Sequence, residues 1–77
     1  MQSPAPETVQ ALHDQHATLK KSLPADDTTP EIILLSGLSD IKAFGEAQKV
    51  LAGLGGKPLY KPVVDHFLLV IAAAESK

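Results

Sequence analysis

The sequence predicts a chain of the α/β class, with amphipathic helices flanking a strand buried on both faces. Two observations carry this. Residues 31–38, Glu-Ile-Ile-Leu-Leu-Ser-Gly-Leu, hold four consecutive apolar residues between turn signals, the habit of a parallel-sheet strand. On either side of that run the apolar residues recur at intervals of 3 and 4, the period of a helix lying on a core.

The elements follow in order. Residues 1–6 form a proline-punctuated leader expected to be disordered, and residues 7–77 form one domain. Val9, Leu12, His16, Leu19 and Leu23 make a single stripe on a first helix, and Lys20 and Lys21 suit the negative end of its dipole. Pro24 ends that helix, and residues 25–30 connect it to the apolar run. The run itself admits a second reading. Thr29-Pro30-Glu31 is also a good helix start, with a capping hydroxyl, an early proline and an acid, and periodicity does not arbitrate between the two.

A helix over 40–54 follows, with Ser39 as its expected cap and Ile41, Phe44, Ala47, Leu51 and Leu54 on one face. Gly55-Gly56 stops it. The last helix begins at Val63, with Val63, Phe67, Val70, Ile71 and Ala74 lining one face. Leu68 and Leu69 spill onto the other faces and leave only Asp65, Ala72 and Ser76 for water, so this helix expects cover on most sides.

Composition excludes several functions. Seven lysines, no arginine and nine acids give a net charge of −2, the wrong balance for a nucleic-acid face. The absence of cysteine excludes a disulfide framework, a Cys-ligated metal and a thiol nucleophile. No apolar run approaches the roughly 18 residues of a membrane span, and the first residues lack a secretory pattern. A cytoplasmic, non-enzymatic module without cofactor is the expectation, since no nucleophile–base–orienter set is visible.

Leu35-Ser36-Gly37, then a helix, then Tyr60-Lys61-Pro62 resembles the second half of a response-regulator receiver domain, the CheY-like family. The resemblance implies a truncated flavodoxin-like half, α-β-α-β-α, with parallel strands near 31–36 and 57–61. Ser36 and Lys61 would be remnants of its phosphate-sensing pair, a hydroxyl donor and a point charge. The phosphorylated aspartate and the metal-holding acids of the family have no counterpart in this sequence, and the switch aromatic would fall near Pro58. The resemblance therefore implies a phosphorylation-independent signalling module that acts by protein contact.

Two strands make no stable sheet, and the edge at Ile32, Ile33, Leu34 and Leu35 would be bare. The expected remedy is a homodimer, or pairing with another signalling protein, with no nucleic acid and no membrane involved. Lys42, Glu46, Lys49 and Tyr60 complete the expected interface. His13, His16 and His66 are ordinary histidines under this reading, because nothing in the sequence brings them together as metal ligands. A rival from another class is a small all-α regulatory or inhibitor protein, with residues 30–54 as one broken helix, binding a partner through apolar helix surface.

Overall fold

The computed structural model describes residues 5–76. Its elements are four helices, α1 (Pro6–Ser22), α2 (Thr29–Asp40), α3 (Phe44–Leu54) and α4 (Lys61–Glu75), with a 3₁₀ turn at Pro58–Tyr60. No strand occurs among the described residues, so the fold is all-α and the α/β, CheY-like half is corrected. Residues 31–36 lie inside α2, and residues 57–61 form the 3₁₀ turn and the start of α4. Most of the expected leader falls outside the described residues, although Pro6 already opens α1. No helix among the described residues is long and apolar enough to cross a membrane.

The run 31–38 chose helix because its start is well made and its inward residues suit a helix. Asp27 accepts a hydrogen bond from the Thr29 N–H at 2.8 Å, tying the chain into the first turn, and Pro30 occupies a position where a missing N–H costs nothing. Glu31, Leu34, Leu35 and Leu38 then face inward at spacings of 3, 1 and 3. Ile32 and Ile33 turn outward, so apolar residues surround the helix and the period is lost.

The core joins three helices. Leu34, Leu35 and Leu38 of α2 meet Ala47 and Leu51 of α3 and Val63, Phe67 and Ile71 of α4, with Ala43 from the connection. Helix α1 contributes no buried residue and lies over this core through partly buried Val9 and Leu12. Its approach is close at Gly37. A Cβ there would sit 2.6 Å from a methyl of Leu12, so α1 crosses α2 where α2 has no side chain.

The break between α2 and α3 is a Schellman motif. Ala43 N–H donates to Leu38 C=O at 2.8 Å, and Lys42 N–H donates to Ser39 C=O at 3.0 Å. The motif needs a left-handed residue, and here it is Lys42, with φ of 61°. Leu38 and Ala43, the residues the motif brings together, are both buried. Ser39 consequently sits in the last turn of α2 instead of capping a helix, and its hydroxyl is buried with no partner among the described residues.

Holding a lysine in the left-handed region costs energy that glycine avoids. After allowance for glycine's greater unfolded-state entropy, Lys42→Gly is expected to stabilise by about 0.5–1 kcal/mol. That corresponds to roughly 3–6 °C in Tm for a domain of this size. Thermal unfolding by circular dichroism measures it, and a lower Tm would contradict this account of the turn.

Candidate functional site

Three features concentrate the polar and exposed apolar chemistry of the molecule: a buried charge cluster, a groove beside α1, and the outward face of α4. The charge cluster lies where α1, α2 and the 3₁₀ turn meet. His16 and Lys20, one helical turn apart on α1, both reach Oε2 of Glu31, at 2.6 Å from Nε2 and 3.3 Å from Nζ. Glu31 is only 1% exposed and stands in the first turn of α2, where the helix dipole also favours a negative charge. Lys20 donates on to the Tyr60 hydroxyl at 3.1 Å. Lys20 and Lys57 both lie about 6 Å from the Tyr60 ring centre, within cation–π range.

This cluster holds the fold together. One carboxylate oxygen ties α1 to α2, and the same lysine ties both to the turn before α4. Oε1 of Glu31 has no partner among the described residues. No cavity described below is lined by His16 or Glu31, so the histidine–carboxylate pair faces protein and not a substrate-sized space. Tyr60, expected on an exposed interface, is buried here.

The ammonium of Lys20 is held above its ordinary value of 10.5, chiefly by the Tyr60 hydroxyl, with Glu31 adding and partial burial opposing. A raised folded value means that the contact's contribution is complete below about pH 10.5 and fades as pH rises through the folded value. The Tm of the wild type is therefore expected to fall more steeply than that of Lys20→Met above about pH 10.5. Parallel pH profiles for the two chains would contradict the link.

The groove has a volume of about 650 Å³ and runs between the first half of α1 and the start of α3. Val9, Ala43 and Phe44 line it together with His13, Lys42, Glu46 and Lys49. Three of the expected interface residues, Lys42, Glu46 and Lys49, thus come together, joined by a histidine that the sequence did not associate with them. The contacts are loose, with Glu46 3.9 Å from His13 and 3.8 Å from Lys49, and half-exposed pairs of this kind contribute little.

The outward face of α4 is apolar. Leu69 is 72% exposed and Leu68 50%, and Ala72 and Ala73 beside them are also exposed. Lys61 and Asp65, which continue this face toward the helix start, pair with each other at 3.2 Å. Ile32 and Ile33 add exposed apolar surface on α2, which packs against α4.

The remaining expected site residues divide plainly. Leu34 and Leu35 are core and offer nothing to a partner. Ser36 is exposed in the middle of α2, and Lys61 opens α4 bound to Asp65, so neither stands at a strand end as a phosphate-sensing pair requires. In the sequence His16 falls within the apolar stripe of α1, which hides its place in the buried cluster. The available signal was Lys20 four residues further on and an acid in the first turn of the next helix.

Compared with family models, with curated proteins and with solved structures, the chain matches none. What the geometry defines is a class: a small, single-core, four-helix protein with an apolar helix face turned to solvent.

Proposed function

We propose that this chain is a non-catalytic regulatory module that binds a protein partner through the outward face of α4. The observation that carries the reading is the exposure of Leu68 and Leu69 on a helix whose other side already fills the core with Val63, Phe67 and Ile71. Scattered exposed leucines are ordinary, but two adjacent ones continuous with alanines form a strip that water covers poorly. Lys61 and Asp65 at the helix start pair with each other, and the middle of the strip, Leu68, Leu69, Ala72 and Ala73, carries no charged group. It suits an apolar contact more than an ionic one. The inward closure of the His16–Glu31–Lys20 cluster supports a structural role for the titratable groups.

The test is an affinity capture with three baits: wild type, Leu68→Gln/Leu69→Gln, and Lys49→Glu in the groove. The expected result is a protein retained by wild type and Lys49→Glu and lost from the leucine variant. With that protein purified, calorimetry should show a negative heat-capacity change on binding, the mark of apolar burial. A partner that binds the leucine variant as well as wild type, or that is lost only with Lys49→Glu, would overturn the reading.

A further inference from the structure

We propose that α1 is a detachable strap, which lifts off α2 and unwinds as one unit while α2, α3 and α4 keep their core. The burial pattern carries this. At 17 residues α1 is the longest helix, yet none of its residues is buried, whereas α2, α3 and α4 bury five, two and three. Every buried member of the core cluster comes from α2, α3, α4 or the connection between α2 and α3. The device is separate from the outward face of α4 and stands whether or not that face binds a partner.

What holds α1 is narrow. Val9 and Leu12 rest half-buried on the core, and Leu12 sits over the bare Cα of Gly37. Further along, His16 and Lys20 reach one oxygen of Glu31, and Lys20 continues to the Tyr60 hydroxyl. Toward α3 the helix leaves the groove of about 650 Å³, across which His13 and Glu46 meet only loosely, at 3.9 Å. Few buried apolar groups and a polar fastening mark a unit that opens before the rest of a fold.

The opening suits both parts of the molecule. A released helix of this length is marginal in water, so undocking and unwinding go together. His16 and Lys20 leave with the helix that carries them, and water takes their place at Glu31. Its charge is then hydrated instead of buried and unpaired, and the three remaining helices keep every buried apolar contact.

Native-state hydrogen exchange on the full chain, followed by NMR at single amides, tests the strap. Amides of residues 10–20 are expected to exchange as one group, at least about tenfold faster than the slowest amides of α2 and α4. Their denaturant slope should be smaller than that of global unfolding. A lock then separates undocking from fraying of a docked helix. The Cβ positions at 12 and 37 lie about 3.5–5 Å apart, within disulfide reach, and the natural chain has no cysteine to interfere. In Leu12→Cys/Gly37→Cys, oxidation is expected to slow residues 10–20 to the rate of the slowest amides of α2 and α4, and reduction to restore fast exchange.

A second variant, Leu12→Asp/His16→Asp, sets one charge on Gly37 and a like charge beside Glu31. It is expected to strip protection from residues 10–20 while the methyl and ring signals of Leu34, Leu35 and Phe67 stay native. Residues 10–20 as slow as α2 and α4 in wild type, or a lock that leaves their exchange unchanged, overturns the strap. Loss of the α2, α3 and α4 signals together with α1 in the second variant also overturns it.

Discussion

Replacing His16 by Leu and Lys20 by Met in one chain is expected to remove a large share of the protein's stability. Both donors to Oε2 of Glu31 disappear, and Oε1 has no partner among the described residues, so a side chain that is 98% buried loses both of its cross-helix partners. Stranding a buried charge in this way costs about 3–5 kcal/mol. A domain of this length has only roughly 4–12 kcal/mol in total. Adding Glu31→Met to the same chain should recover most of the loss, since an apolar replacement of a whole buried ion cluster is often neutral. Urea unfolding of the double and triple variants reads the difference. A triple variant as unstable as the double would show that the cluster acts by shape and not by charge.

The second large effect comes from Phe67, whose ring is 4% exposed between α2 and α3 and meets the edge of the His66 ring. Phe67→Ala is expected to cost about 3–5 kcal/mol through lost burial and the cavity left behind. Leu69→Ala, two residues along the same helix, should change stability by no more than about 0.5 kcal/mol because its side chain is already in water. The contrast separates the two sides of α4: one holds the fold, and the other is available for contact. Comparable losses from both variants would mean that Leu69 is covered.

How much of this was legible in the sequence depended on whether a helix had one wet side. The stripe of α1 and the inward face of α3 are legible because polar or small residues mark the opposite side, and the inward face of α4 is legible only from the spacing of Val63, Phe67 and Ile71. In α2 Ile32 and Ile33 fill the outer face, so apolar residues surround the helix, and two β-branched residues in a row favoured the strand reading. The decisive local signal, Thr29-Pro30-Glu31, is present in the sequence, but the four apolar residues after it suit a strand equally well. The break at 41–43 was hidden for a different reason. Its left-handed residue is Lys42, where a glycine or asparagine would have announced the end of a helix, so 40–54 read as continuous.

The site was legible in part. The excess apolar surface of α4 followed from counting its faces, and the grouping of Lys42, Glu46 and Lys49 was anticipated by residue though for a different fold. The convergence of His16, Lys20, Glu31 and Tyr60 spans three elements and depends on how α1 crosses α2 at Gly37. No spacing along the chain encodes that crossing.

The central claim is that α4 turns an apolar face to solvent while α2 is a core helix. Methyl NMR with a soluble paramagnetic probe, on protein diluted until its methyl shifts no longer change, tests it most directly. The account predicts strong relaxation of the Leu68 and Leu69 methyl groups, intermediate relaxation at Ile32 and Ile33, and protection at Leu34, Leu35 and Leu38. Protected Leu69 methyl groups together with exposed Leu34 or Leu35 would contradict it.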